Sequence, residues 1–176
     1  MKRLDKALRW ACVLLLAGSS ALWAAPQALP GGDAKHPAVS ALIGRWSLDT
    51  SRMAQPPDQR PESVVFTFKQ VAASTLGMQV DIRYAPGNEV HSTGLAALDG
   101  SLFAIQNSPE ADSGAVRQPT PDVLVLALRK GGVLVSTRIY SVLPGDQTLV
   151  ETAVYPGRDG VPVWRTNYFK RSTGEP

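Results

Sequence analysis

Few residues of this sequence have the types and the spacing that catalysis or metal binding requires. The histidines are His36 and His91, which lie far apart in the chain, and the one cysteine is Cys12. Metal sites need clustered ligands, and thiolate or redox chemistry needs cysteines. A Ser/His/Asp triad built on His91 stays open, because the members of a triad meet in space rather than in sequence. The sequence therefore identifies no catalytic residue and predicts neither a metal nor a cofactor.

Two carboxylates lie close together at Glu110 and Asp112. Paired carboxylates can perform acid–base chemistry when burial separates their pKa values. Both lie within residues 107–121, which form the longest stretch without a strand pattern and contain three prolines. We therefore expect these carboxylates to be solvated in an exposed loop.

Alternating apolar and polar residues predict that β-strands, rather than helices, position these side chains. The alternation is strict in Met78–Tyr84, and turn sequences such as Asp99-Gly100 separate one strand pattern from the next. The Asp99-Gly100 turn predicts a hairpin between the strands on its two sides. We count about nine strands, at Gly44–Asp49, Val64–Lys69, Met78–Tyr84, Glu89–Ala97, Ser101–Gln106, Val123–Arg129, Val133–Leu143, Thr148–Tyr155 and Val161–Lys170.

The strand pattern predicts an all-β fold. No long stretch shows the helical period of 3.6 residues, and only residues 37–43 are expected to form a short helical turn. Closing the strands into a barrel removes exposed sheet edges. We therefore predict an antiparallel up-and-down meander that closes into a barrel, with a two-sheet β-sandwich as the alternative.

The start of the chain has the pattern of a secretory signal peptide. Residues 10–23 form a run without charges that is too short and too interrupted for a membrane span of ~20 residues. The basic residues that precede the run are Lys2, Arg3, Lys6 and Arg9. We expect cleavage after Ala24 and a periplasmic or secreted protein with no stable membrane span.

The rest of the chain is expected to divide into three parts. Residues 25–36 predict a flexible tether, because they contain two prolines and two glycines without periodicity. Residues 37–171 are expected to form the barrel, and residues 172–176 a C-terminal tail.

Removal of residues 1–24 changes the charge balance of the protein. The whole chain of 176 residues carries 18 Lys and Arg against 15 Asp and Glu, a net charge of +3. Residues 1–24 hold 4 of these basic and 1 of these acidic residues, which leaves 14 of each sign and a net charge of zero. Nucleic acids and anionic membranes attract proteins that carry excess positive charge. A net charge of zero therefore argues against a nucleic-acid partner.

The first and last predicted strands carry residues that a closed barrel would bring together. Trp46 lies in the first strand, whereas Trp164, Arg165, Tyr168 and Arg171 lie in or just after the last. An arginine lying across the face of Trp46 would fasten the seam between these strands.

The same region resembles a known group of proteins. Gly44-Arg45-Trp46 is similar to the Gly-x-Trp signature that opens the first strand of lipocalins. More broadly, Leu42 to Arg171 resembles small secreted bacterial proteins with lipocalin-like barrels, a group without an established activity. The similar segments are Gly-x-Trp-x-Leu-Asp from Gly44, the segment Ser136-Thr137-Arg138-Ile139-Tyr140-Ser141, and Thr166-Asn167-Tyr168-Phe169-Lys170.

This resemblance implies a lipocalin-like barrel in which Gly44 and Trp46 are structural. It also implies a basic residue that packs on Trp46 from the end of the last strand, a role for Arg165 or Arg171.

We expect a non-catalytic protein that holds an apolar or amphipathic small molecule in the barrel. The candidate ligand contacts are Arg138, Tyr140, Trp164 and Tyr168. For Arg138 the sequence favours the simpler interpretation, in which the side chain projects into water from an exposed strand face.

Two other functions remain open. One is an envelope protein-interaction or inhibitor module with a packed core, whose proline-rich loops at residues 51–61 and 107–121 contact a partner. The other is a hydrolase-type enzyme, which would need an active site that no motif in the sequence shows.

Overall fold

Ten antiparallel strands form a closed barrel in the computed structural model, which describes residues 41–172. Each strand pairs with its neighbours in the chain, and the first strand pairs with the last. This arrangement confirms the all-β, up-and-down barrel and excludes the two-sheet sandwich. The strands are β1 (Gly44–Leu48), β2 (Ser63–Ala72), β3 (Thr75–Ala85), β4 (Asn88–Ala97), β5 (Asp99–Gln106), β6 (Ser113–Thr120), β7 (Val123–Lys130), β8 (Val133–Val142), β9 (Thr148–Tyr155) and β10 (Val163–Arg171).

The strand that the sequence did not predict is β6, in the stretch that we expected to be an irregular loop. Its buried side includes Val116 and Gln118, together with Gly114. One large apolar residue among small and polar ones gives almost no alternation signal. Pro119 falls where the register with β7 shifts, so the strand tolerates a residue that cannot donate a ladder hydrogen bond.

Several predicted segments lie outside the described residues. These are the signal peptide of residues 1–24, the tether of residues 25–36, residues 37–40 of the helical turn, and the tail beyond Ser172. Ala41 and Leu42 form a turn directly before β1. The two helices within residues 41–172 are single 3₁₀ turns at Thr50–Arg52 and Pro57–Gln59, and no helix there could cross a membrane.

Aromatic rings fill one end of the barrel. The Phe66 ring lies 5.5 Å from Tyr140 and 5.0 Å from Phe169, and Phe68 lies 5.8 Å from Tyr140. Burial of each such ring contributes roughly 1.5–3 kcal/mol to folding. Other buried residues at this end are Leu42, Trp46, Leu76, Leu124 and Leu149. Phe66, Tyr140 and Phe169 also form the floor of a cavity that occupies the rest of the barrel.

The β1–β10 seam is fastened by Arg171. Trp46 pairs with Arg171 across the two strands, and the guanidinium lies 4.1 Å from the centroid of the buried indole ring. Trp46 Nε1 donates a hydrogen bond to the Leu42 carbonyl at 2.8 Å. Of the two arginines considered for this position, the structure therefore places Arg171 on Trp46.

Arg171 also bonds three backbone carbonyls, two in residues 41–43 and one in the β8–β9 loop. Its Nη1 donates to the Ile43 carbonyl at 2.8 Å and its Nη2 to the Ala41 carbonyl at 2.8 Å. Its Nε donates to the Asp146 carbonyl at 2.6 Å. Glycine is needed at position 44 for two reasons. Its φ of +134° is a backbone conformation that residues with a side chain rarely adopt, and a Cβ there would lie only 2.5 Å from Arg171 Nη1.

We predict that Arg171→Met lowers the free energy of unfolding by about 2–3 kcal/mol, because it removes charged donors from three carbonyls and the cation from the indole face. Urea denaturation followed by circular dichroism measures this change. The matched control is Arg45→Met, since Arg45 is exposed on β1. Equal stability of the two variants would contradict the role given to Arg171.

Candidate ligand-binding cavity

A cavity of about 400 Å³ lies inside the barrel, between the aromatic floor and the opposite end. One wall is apolar and comes mainly from β2 to β5, with Val64, Met78, Val80, Ile82, Phe103 and Ile105. The facing wall comes from β8 to β10 and is polar, with Arg138, Tyr140, Glu151, Tyr155 and Asn167. The cavity is therefore lined by two chemically different surfaces.

The position of Phe103 in the apolar wall depends on two glycines. A Cβ at Gly94 would lie 2.7 Å from the Phe103 ring, and one at Gly114 would lie 2.9 Å from it. These residues are on β4 and β6, the neighbours of β5. The predicted β4–β5 hairpin is present, with Thr93 opposite Gln106.

Because side chains alternate between the two faces of a strand, two of the candidate ligand contacts on β10 lie outside the barrel. On β10, the residues Arg165, Asn167 and Phe169 line the cavity, and the alternate residues face outward. Trp164 is 64% exposed, and Tyr168 lies under the guanidinium of Arg52, 3.4 Å from its ring centroid. The expectation that Trp164 and Tyr168 contact a ligand in the lumen is therefore corrected.

Arg138 points into the barrel, and the expectation that it projects into water was wrong. Its side chain is 13% exposed. Its Nη1 donates to Glu151 Oε1 at 2.9 Å, and its Nη2 donates to both carboxylate oxygens of Glu110. Tyr155 Oη lies 3.4 Å from Nη2. Buried charge is tolerated when it is paired and hydrogen-bonded, and Arg138 has two carboxylate partners.

Glu151 is the most deeply buried charged group of the cluster, at 2% exposure. It accepts hydrogen bonds from Tyr140 Oη at 2.9 Å and Asn167 Nδ2 at 2.6 Å, besides the one from Arg138. The β-sheet register explains this arrangement, because Tyr140 and Asn167 lie directly opposite Glu151 on the two neighbouring strands. The three inward-facing side chains therefore form a row across the polar wall.

Sequence reasoning did not select Glu151 for this site, although a signal was present. Glu151 lies on the same face of β9 as Leu149 and Ala153, both of which are buried. A carboxylate on the apolar face of a strand predicts a buried partner.

Glu110 corrects the expectation of a solvated carboxylate pair. It reaches from the β5–β6 loop into the cavity, where it pairs with Arg138 and accepts a hydrogen bond from Ser136 Oγ at 3.4 Å. Asp112 is exposed and accepts a hydrogen bond from the Gly131 amide at 2.7 Å. The two carboxylates therefore have separate partners and do not form an acid–base pair.

The pKa values of Arg138, Tyr140 and Tyr155 are shifted in this cluster. Burial, with the nearby Glu151 carboxylate, raises the pKa of Tyr140 well above its usual value. Burial also raises the pKa of the Tyr155 hydroxyl, against the effect of Arg138. Burial would lower the pKa of Arg138, but the oxygens of Tyr140, Glu151 and Glu110 together raise it. At neutral pH, therefore, Arg138 is a cation and both tyrosines are neutral, with Tyr140 donating to Glu151 and Tyr155 accepting from Arg138.

Arg165 lines the mouth of the cavity and does not contribute to the seam, where it was the alternative to Arg171. It is exposed, and its guanidinium lies 5.2 Å from the centroid of the Tyr155 ring.

His91 is exposed and does not line the cavity. Its Nδ1 lies 2.8 Å from Asp81 Oδ1, and this hydrogen bond raises the pKa of His91. Among residues 41–172, no group of three or more His, Cys, Asp or Glu side chains is placed to hold a metal ion.

Solved structures resemble this barrel, whereas no family model and no curated protein matches the sequence. A mutant of the fluorescent protein UnaG superposes with a TM-score of 0.55 at 15% identity, over 77% of this chain and 99% of that chain. The wild-type UnaG structure gives a TM-score of 0.53 at 14% identity, over 76% of this chain and 99% of the other. At such identities the likeness is one of fold.

We predict that Glu151→Leu destabilises the protein by about 3–5 kcal/mol, because Arg138 loses the more deeply buried of its two partners. The double variant Arg138→Met/Glu151→Leu should be more stable than Glu151→Leu alone, since it leaves no cation at this position. Chemical denaturation of the wild type, the single variants Glu151→Leu and Arg138→Met, and the double variant measures the coupling.

The control for this cycle is an exposed ion pair, Glu62 with Arg83 at 3.1 Å. Glu62→Leu should change stability by no more than about 1 kcal/mol. A loss on Glu151→Leu no larger than that of the control would show that the buried cluster is not formed in solution.

Proposed function

We propose that this protein is a non-catalytic binding protein that holds a small apolar or amphipathic molecule in its barrel. The observation that carries the proposal is the cavity of about 400 Å³ with one apolar and one polar wall. Sites for small molecules commonly enclose roughly 300–1,000 Å³ and combine apolar walls with a few fixed polar groups. Both features are present here.

The apolar wall supports a ligand with an apolar body. Met78, Val80, Phe103 and Ile105 are partly buried and pack against the core while they face the cavity. Contact with an apolar molecule would remove the remaining apolar surface from water, which is favourable at roughly 25 cal/mol per Å².

The polar wall distinguishes this proposal from the alternatives. An interaction or inhibitor module with a packed core would fill the lumen, whereas this lumen is open and has a buried ionic cluster on one side. A hydrolase would need a carboxylate or hydroxyl free to attack or to transfer a proton. Of the two carboxylates that line the cavity, Glu151 is held by three hydrogen bonds and Glu110 is ion-paired with Arg138 through both of its oxygens.

We also propose that the protein is secreted or periplasmic. The basic residues before the uncharged run of residues 10–23 and the small residues Ala24 and Ala25 support this location. The mass of the protein recovered from its host's envelope fraction tests it. The mass of residues 25–176 supports export, and the mass of the whole chain overturns it.

We predict that the neutral fluorophore N-phenyl-1-naphthylamine binds the wild-type protein with a rise in fluorescence, and that Val80→Trp weakens binding at least tenfold. The larger side chain would occupy the space that the probe needs, since Val80 lines the cavity. Fluorescence titration measures both affinities.

The matched control is Thr166→Trp, since Thr166 is exposed and does not line the cavity. This variant should bind the probe as the wild type does. Absence of probe binding to the wild type, or equal weakening by the two tryptophans, would overturn the proposed lumen site.

A further inference from the structure

We infer that the cavity selects a ligand with a protonated amine on an apolar body, and that Glu110 receives the amine. This inference rests on the proposed function and specifies the chemistry of its ligand. It follows from three properties of the polar wall: the carboxylates already paired with Arg138, the excess of carboxylates over cations in these ion pairs, and the anchored backbone on both sides of Glu110.

Both terminal nitrogens of the Arg138 guanidinium already donate to carboxylates. Its Nη1 is bonded to Glu151, and its Nη2 is bonded to both oxygens of Glu110. Its Nε is buried without a hydrogen-bond partner, out of contact with solvent. A ligand carboxylate that approached Arg138 would meet the two carboxylates already paired with it. The geometry therefore disfavours a fatty acid or another simple carboxylate.

The ion pairs of the polar wall contain more carboxylates than cations. They contain one cation, Arg138, against Glu110 and Glu151, so their net charge is −1. The other cation of the lining is Arg165, which is exposed at the mouth, where water and salt screen its charge. A ligand cation would offset the excess charge inside the cavity.

Glu110 is the carboxylate of this cluster that can accept a hydrogen bond from a ligand. It is 38% exposed, whereas Glu151 is 2% exposed and already accepts three hydrogen bonds. A carboxylate has about four acceptor positions, and Glu110 accepts from Arg138 and Ser136 alone among the described residues. An ammonium group can therefore bind Glu110 without displacing a protein donor.

The loop that carries Glu110 is fastened on both sides of this residue. Lys130 Nζ donates to the carbonyl of Pro109, and the Asp112 amide donates to the Arg129 carbonyl at 3.0 Å. A ligand carboxylate could replace Glu110 on Arg138 only if the side chain rotated away or these contacts broke. These contacts hold the backbone of residues 109–112 against the end of β7 and so keep Glu110 beside the cavity.

The apolar wall lies across the barrel from the cluster. Val80, Phe103 and Ile105 are on β3 and β5, and the polar row is on β8 to β10. A molecule with its amine at Glu110 would direct its hydrocarbon part toward these three side chains. The two walls together select an amphipathic amine.

Competition between three ligands with the same alkyl chain tests this inference. Decylamine, 1-decanol and decanoate are titrated at pH 7 against protein loaded with N-phenyl-1-naphthylamine. An alkylammonium keeps its proton at this pH, as a lysine does with its pKa of about 10.4. We expect decylamine to displace the probe at concentrations at least tenfold lower than decanoate, with 1-decanol between them.

The variant Glu110→Gln removes the negative charge and keeps an oxygen that Arg138 can bond. It should reduce the preference for decylamine over decanoate by about tenfold, which corresponds to ~1.4 kcal/mol. The matched control is Glu89→Gln, since Glu89 is exposed, does not line the cavity and loses the same charge. This control should keep the wild-type preference.

The outcomes separate the two proposals. If the probe does not bind the wild-type protein, the proposed function fails. If the probe binds but decanoate competes as well as decylamine, or decylamine does not compete, the amine inference fails and the lumen site stands. An unchanged preference in Glu110→Gln would also overturn the role of Glu110.

Discussion

Pairing of the first strand with the last closes the barrel, and this closure decides where each side chain lies. Because β1 pairs with both β2 and β10, every strand has one face toward the lumen and one toward water. Parity then decides the surroundings of each side chain, so that Glu151 and Asn167 face inward while Trp164 faces outward. The strand that closes the barrel is the short β1, and the Arg171–Trp46 contact fastens it to the end of β10.

Closure of the barrel also places Arg138 and Glu151 in its interior, where their charges have little contact with water. Buried ion pairs contribute little net stability compared with well-packed apolar residues, because desolvation of the charges opposes their attraction. The aromatic end of the barrel shows that this sequence can fill its interior with apolar side chains. The cluster of Arg138 and its two carboxylates lies beside a cavity, and this position favours a role in binding over a role in stabilising the fold.

The fold was largely predictable from the sequence because closure and strand alternation leave strong local signals. The strand β6 was missed because it alternates small and polar residues around Val116, a pattern that resembles a loop.

The site was less predictable from the sequence than the fold. Arg138 and Tyr140 were selected as ligand contacts, but Glu110 was expected to be solvated and Glu151 was not selected as a ligand contact. Their roles depend on which strands are adjacent and in which register, and these are properties of the whole barrel.

We propose that the lumen binds an amphipathic molecule by its polar end at Glu110, and a crystal structure of the protein with decylamine would locate that end. We expect electron density in the cavity, with the nitrogen within about 2.7–3.2 Å of a Glu110 oxygen and the chain against Val80 and Phe103. Decylamine bound on the outer surface with an empty lumen, or bound in the lumen with its nitrogen away from Glu110, would overturn this binding mode.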